Sequence, residues 1–485
     1  MDEKYIVAID LGSYKVALLV AKVNGDDIQV VYYKETPSKG IRNSYVFNSK
    51  LVTEPLETLI RDAEQELNIK ITQAVIGLPK YQVRQVSRPA RMELTDEECI
   101  SEEDVDALKN EALYNYPLTN PDKEVLFGAV AQSFSTGEDF QYVESQIVGM
   151  PSDELEGNFK IFIGKKSALK ALDVAFNKLK IGVAKKYFTP DILAKAVLTP
   201  SEMESGVAMI DFGGGATSVT IYFGSIMRHY AAIPFGGISV TTDIMNESMI
   251  SSSLAENIKL AFGACMPDKL QTLSEKVIQI NSGNDTVPNK HLPVRYLSEI
   301  ITCRVKEIVD AMLYEIEQSG MASNLRCGIV LTGGGANLTN CANYIKEVSG
   351  YNVRHGYPKF QLVSHSGYDS IRETGAAVCL GLLLAAKADR VPDCAMGETT
   401  VNIGDSVTFS GTGTEEAQER KMPEASGNAG AETPVIEPEI FPEGAIEEVP
   451  AGNGAGKPPV KKKRRVIWAK INEVCHTLFD EDNRV

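Results

Sequence analysis

The sequence predicts an α/β protein with two related lobes, an inserted subdomain, a disordered tether and a terminal amphipathic helix. Three observations predict it. Two segments of one design lie 201 residues apart, a third glycine cluster follows the second of them, and the composition changes abruptly near residue 394. The first segment, "YIVAIDLGSYKVALLVAKVNGDDIQVVYY" from Tyr5, runs apolar and β-branched up to an aspartate. So does the second, "GVAMIDFGGGATSVTIYFGSIMRHYAAI" from Gly206. Each then turns on glycine, runs apolar again, turns a second time (Asn24-Gly25, Phe223-Gly224) and enters a third run. Three antiparallel strands joined by two hairpins give that pattern. Its recurrence implies two lobes facing one another.

Helical stretches follow the strands, at 53–67 and 241–249. "GIVLTGGGANLTN", from Gly328, repeats the order of short apolar strand, glycine turn and helix. Between the first repeat and Lys160 lies "KYQVRQVSRPARMELTDEECISEEDVDALKNEALYNYP", which belongs to neither lobe. It holds an alternating run, an acidic helix start (Ser101-Glu102-Glu103) and an amphipathic helix, and reads as an inserted subdomain that should be removable without loss of the lobes' function. The apolar run "AAVCLGLLLAA" (376–386) is too short to cross a bilayer and contains Gly381, so it reads as a buried core helix.

These segments divide the chain into a first lobe (1–82, continued by 163–190 and about 375–393), an insert (83–162) and a second lobe (191–374). A linker (394–459) and a terminal helix (460–480) follow. Residues 395–457 carry 12 Asp/Glu against 3 Lys/Arg, are rich in Gly, Pro, Thr and Ala, and lack a helical period, as a disordered tether would.

A length of 485 residues supports several domains, and a net charge of −16 argues against nucleic acid as the main partner. The N-terminal stretch has no basic region leading into an apolar one, so secretion is not expected. Eight scattered cysteines without a CxxC pair fit reduced thiols in a cytosolic protein. The five histidines form no HxxxH or HExxH group, which excludes the common zinc patterns.

The three glycine turns could converge on one polyanion, since glycine presents backbone N–H groups with no Cβ in the way. Asp10 and Asp211 close their strands just before two of these turns. Two carboxylates beside a phosphate site suit Mg²⁺, which takes a few oxygens, retained waters and substrate phosphates.

Here the sequence resembles the actin-like ATPase superfamily. "DLGSYK" matches its first phosphate loop and assigns Gly12, Ser13 and Lys15 to nucleotide. "DFGGGATS" matches the second and assigns Gly213, Gly214, Gly215 and Thr217. "TGGGA" matches the adenosine motif (Gly333, Gly334, Gly335, Ala336), and "AENIK" the ribose–adenine pair Glu256 and Lys259. Taken alone, that last pair is also what an ordinary surface ion pair looks like.

Within the superfamily the chain is most similar to the FtsA family of bacterial cell-division proteins. "IGLPKYQVRQ", "AKAVLTPSEMESGVAMIDFGGGATSVTIYFGSIMRHYAAIPFGG", "CGIVLTGGGANLTN" and the basic tail carry the likeness, over about 1–390 and 460–480. The resemblance implies binding of ATP and Mg²⁺ and self-assembly into a homopolymer at the cytoplasmic face of the inner membrane, at the division site. It implies anchoring of the tubulin-like ring protein FtsZ through the surface around "FGGISVTTDIMNE" and "SSSLAENIKLAFG". The insert would serve self-association and later division proteins. A chaperone-type ATPase or small-molecule kinase is the alternative, though the chain offers a tether where chaperones have a peptide domain.

One departure matters. Chaperone ATPases carry Glu-Pro before the second phosphate loop, whereas "YFTPDILAKAVLT" has Thr189-Pro190; Asp191, one residue on, is a candidate substitute for that acid but is expected to cap the helix instead. In-line hydrolysis needs a group that orients water, so turnover is expected to be slow or negligible.

The tail "RRVIWAKINEVCHTLFD", placed on a helix, gathers Ile467, Trp468, Ile471, Val474, Leu478 and Phe479 on one face, with Cys475. Lys461, Lys462, Lys463, Arg464 and Arg465 sit at its N-terminal end, where the helix macrodipole disfavours cations. Anionic membrane lipid explains that placement, and the pattern is that of an interfacial helix. Docking of the helix on the chain's own core and a nuclear import signal are the competing readings.

Overall fold

The structure, a computed structural model, describes residues 4–94, 99–137, 141–280, 290–365 and 367–397. The terminal helix and nearly all of the tether lie outside the described residues.

Three antiparallel strands open the chain: β1 (Lys4–Leu11), β2 (Lys15–Asn24) and β3 (Asp27–Pro37). Ile9 faces Leu18 and Val20 faces Tyr32 across the ladders. Six consecutive residues of β2 are buried, as a strand packed against by two helices, those at Ser49–Leu67 and Ala377–Ala388, can be. Helix α1 (Ser49–Leu67) starts four residues earlier than expected, since Asn48 caps it by accepting the N–H groups of Lys50 and Leu51 at 3.0 and 3.2 Å. Strand β4 (Gln73–Gly77) then joins β1 in parallel.

The insert follows as β5 (Arg84–Glu93), α2 (Glu102–Tyr114), β6 (Glu124–Ser135) and β7 (Glu154–Lys165), forming a sheet of order β5-β7-β6. Ser101 and Asp104 close a reciprocal capping box at the start of α2, in the acidic turn the sequence marked. Leu108, Phe134, Leu155 and Phe159 form a small core of its own. The insert does not hang free. Phe162 stacks on Phe188 at 4.5 Å and meets Tyr230 edge-on at 6.3 Å, while Gln132 donates to the Met227 carbonyl at 3.0 Å.

Strand β8 (Gly182–Tyr187) completes the first sheet, in the order β8-β4-β1-β2-β3 with residues 364–365 added at the β3 edge. Helix α3 (Thr189–Val197) leads to the second hairpin unit: β9 (Val207–Phe212), β10 (Thr217–Phe223) and β11 (Ile226–Ile233). After α4 (Gly237–Ser248), α5 (Ser252–Phe262) and α6 (Val294–Gln318), strands β12 (Ile329–Thr332) and β13 (Val353–His355) extend this sheet in parallel. Its order, β11-β10-β9-β12-β13, repeats the first sheet strand for strand. The fold is actin-like: two lobes with duplicated sheet-and-helix cores.

The apolar run expected as a core helix is α7 (Ala377–Ala388), which packs on α3 and β1. At Gly381 a Cβ would stand 2.8 Å from the Ile192 carbonyl oxygen, so the two helices approach as closely as they do because that residue has no side chain. Order continues past the boundary read at 393. Residues Ala395–Gly397 pair with Ile69–Ile71, and the Cys394 N–H donates to the Tyr5 carbonyl at 2.9 Å. Among the described residues, no helix is long and apolar enough to cross a membrane.

Candidate nucleotide site

The three glycine turns meet at one cavity of about 290 Å³, open to solvent. It lies where the strand ends of the two sheets face each other. Asp10 and Asp211 each lie one residue before the end of their strands, β1 and β9, and the turns that follow are packed against one another. A Cβ on Gly214 would stand 2.7 Å from Tyr14 Cβ, and one on Gly215 would stand 2.6 Å from Ser13 Oγ. Gly333 has φ +87°, and a Cβ there would meet Asp211 Oδ1 at 2.5 Å. Glycine is therefore required on both grounds, conformation and space.

Of the residues read from the sequence, Asp10, Gly12, Ser13, Lys15, Asp211, Gly213, Gly214, Gly215, Glu256, Lys259, Gly333, Gly334 and Gly335 line the cavity. Two do not. Thr217 is fully buried behind the second loop, and its hydroxyl donates to the Phe235 carbonyl at 2.8 Å instead of facing phosphate. Ala336 is buried beneath the third turn, among the core residues around Phe212.

Glu256 and Lys259 are not a surface pair. The Lys259 ammonium donates to Glu256 at 2.8 Å, to Thr241 Oγ1 at 2.9 Å and to the Gly237 carbonyl at 3.1 Å. Burial lowers its pKa, and Glu256 opposes that shift. Helix α4 begins at Gly237 because the Gly237 and Ile238 N–H groups donate to the carbonyls of Gly213 and Gly214, at 3.0 and 2.8 Å. The second loop and this helix start are thus one unit.

Three cavity-lining contacts went unread in the sequence. The Lys80 ammonium pairs with Asp211. Tyr14 places its ring 6.0 Å from the Lys259 ammonium and bonds Glu256; burial first, and Glu256 second, raise its pKa. Thr374 donates to the Gly333 carbonyl at 3.0 Å, tying α7's approach to the third turn. A lysine after "GLP" is the signal that was present but had no partner until the fold supplied one.

Asp191 does not cap α3, whose start has no side-chain cap. It accepts from the Tyr222 hydroxyl at 2.9 Å and pairs with Lys195 at 2.8 Å, away from the cavity lining. Thr189 does face the cavity, but its hydroxyl is committed to the Leu78 carbonyl at 2.7 Å. The lining carboxylates are Asp10, Asp211 and Glu256. Among the described residues, no three His, Cys, Asp or Glu side chains cluster as a metal cage. Asp10 and Asp211 fit a Mg²⁺ whose remaining ligands are water and phosphate.

Burial lifts the Asp10 carboxyl to about 6; Lys15 and Lys80 pull it down, and Asp211 and Glu35 push it up. A raised folded pKa means that ionising Asp10 costs stability: the folded state is favoured below about pH 4 and loses that advantage as pH rises through 6. A shift of that size is worth up to about 3 kcal/mol, and partial exposure to the cavity reduces it to about 1–2. Asp10→Asn should accordingly raise the melting temperature of the empty protein at pH 7.5, and by only about a third as much at pH 4.5. Equal shifts at both values would disprove the burial cost.

The chain is similar to known proteins over these same elements. The family model described as cell division protein FtsA matches residues 208–381, from β9 into α7. Cell division protein FtsA of Neisseria meningitidis serogroup B is 29% identical over 388 residues, which is 79% of this chain and 91% of the relative. That of Borreliella burgdorferi is 29% identical over 74% of this chain and 86% of its own length. The Escherichia coli K12 protein of the same name is 26% identical over 74% and 85%. Among solved structures, the PilM-PilN type IV pilus biogenesis complex shares the fold, with a TM-score of 0.54 at 15% identity, over 78% of this chain and 98% of the matched one.

Proposed function

Since the chain belongs to the FtsA family of cell-division proteins, we propose that it binds ATP with Mg²⁺ and anchors the division ring to the membrane. One observation carries the nucleotide half of this reading. Three glycine turns, each with positions where a Cβ would clash, two carboxylates near strand ends and the buried Glu256–Lys259 pair all line one cavity. Backbone N–H groups would hold the phosphates, Asp10 and Asp211 would hold Mg²⁺ through its waters, and Glu256 with Lys259 would meet ribose and adenine. The ion polarises phosphate oxygens when bound. No lining carboxylate other than these is available to orient water, so ATP acts chiefly as a conformational ligand. Calorimetry should detect Mg-ATP binding, with phosphate release far slower than exchange. Robust turnover with an acceptor molecule would favour the kinase or chaperone reading.

In the membrane half, the 460–480 segment lies on the inner leaflet at the division site, and the acidic linker keeps the body clear of it. FtsZ docks on the second lobe around α4 and α5, and the 83–162 insert takes part in self-assembly and in contacts with later division proteins. Each basic residue near anionic lipid contributes ~1 kcal/mol, so the cluster from Lys461 to Arg465 supplies roughly 5 at best, reduced by salt. Partial burial of the apolar face adds a few kcal/mol, offset by the ordering of the helix. A monomer therefore binds reversibly and a polymer firmly, through avidity. Trp468→Glu with Ile471→Glu should release the protein from anionic vesicles at unchanged nucleotide affinity. Reversing the five basic charges should remove the preference for anionic over neutral lipid. A double Glu variant that pellets with vesicles like the wild type would refute the anchor.

A further inference from the structure

The cavity is lined by three lysines, and each has a carboxylate partner: Lys15 with Glu35, Lys259 with Glu256, and Lys80 with Asp211. Lys80 differs in where its charge sits. Its partner is a carboxylate near the end of β9, beside the second glycine turn, and a Cβ on Gly213 would stand 2.8 Å from its Nζ. The ammonium thus lies beside the Asp211 carboxylate and against the glycine turn that follows it, where phosphate and metal would sit.

The backbone holds it there. The Lys80 N–H donates to Ser44 Oγ at 3.2 Å, and the Ser44 N–H donates to Ser13 Oγ at 2.9 Å, in the first glycine turn. The Tyr230 hydroxyl, from β11, donates to the Lys80 carbonyl. Both lobes therefore fix this residue, while its side chain keeps the freedom of four methylenes. A buried carboxylate needs a counter-charge when no metal is bound, and an incoming polyphosphate needs one as well.

Resting on the nucleotide reading, we propose that Lys80 is a phosphate-binding residue held in reserve. Its ammonium neutralises Asp211 while the cavity is empty, and exchanges that carboxylate for phosphate oxygens of the bound nucleotide. Two consequences separate this from a merely structural ion pair. The contribution depends on phosphate, so adenosine should not feel it. It is also largest without divalent metal, where Lys80 is the cation paired with Asp211.

Calorimetry on the full chain tests it with adenosine and with ADP, each in EDTA and in Mg²⁺. In Lys80→Met, metal-free ADP affinity should fall about 10- to 100-fold, the range of a charge-assisted contact. Adenosine affinity should stay within about twofold, and Lys80→Arg should lose less than Lys80→Met. Should Lys80→Met misfold for want of a partner to Asp211, Lys80→Gln keeps a donor without the charge, and the same ADP-to-adenosine ratio is read on it. ADP binding by the neutral variant as tight as wild type, or a parallel loss for adenosine, overturns the role of Lys80. Failure of the wild type to bind either ligand overturns the nucleotide reading itself, and Lys80's role with it.

Discussion

Asp211→Ala is expected to cut Mg-ATP affinity by roughly 30- to 150-fold, about 2–3 kcal/mol, with the protein still folded. Asp211 is one of two carboxylates at the strand ends, and its other partner is Lys80. Removing it deletes a metal-side anion and frees an ammonium for phosphate. The two effects have opposite signs, so the loss should be confined to conditions containing Mg²⁺, and metal-free ATP should bind as well as before or better. Asp10→Ala should show the same metal dependence. Unchanged Mg-ATP affinity in both variants would remove these residues from the site.

Phe162→Ala should have the largest effect on stability. Phe162, on β7 of the insert, is buried and stacks on Phe188, and both rings meet Tyr230 of the second lobe edge-on. Truncating a buried phenylalanine costs about 3–5 kcal/mol, including the edge-on contacts. Unfolding of so large a chain need not be two-state, so the readout is a thermal midpoint, expected to fall by about 5–15 °C. A fall under about 2 °C would show that the junction repacks at little cost. The same cluster changes the expectation that the insert lifts out cleanly. A deletion of 83–162 takes Phe162 with it and uncovers Phe188 and Tyr230, so a version ending before Phe162 should retain nucleotide binding better.

What was legible in the sequence was local. The hairpin units at Tyr5 and Gly206, the capped start of α2 and the three glycine turns all announce themselves within a dozen residues, because alternation, capping and positive φ act at that range. What was not legible depends on distant partners. Helix α4 starts at Gly237 because carbonyls of the second turn cap it, not a side chain of its own. Thr217 sat in the right motif, yet its hydroxyl is taken by the Phe235 carbonyl. Asp191 had the spacing of a cap and instead serves Tyr222, 31 residues on. Lys80 pairs with a residue 131 positions away, which no window on the sequence can see.

The seam between the two ends of the described chain has a consequence for how the protein is made. Lys4 donates to the Val391 carbonyl at 2.7 Å, the Tyr5 N–H to Asp393 Oδ1 at 3.0 Å, and α7 packs against β1. At ribosomal rates of about 5–20 residues per second, the residues that close this seam emerge roughly 20–80 s after the strand they cover. The first lobe is thus begun first and finished last, while β9 to β13 and their helices can close on themselves within a shorter stretch of synthesis. Until α7 emerges, the apolar face of β1 has no cover of its own. That interval is where a nascent-chain chaperone should be found bound, and ribosome-stalled chains ending before and after residue 388 should differ sharply in holding one.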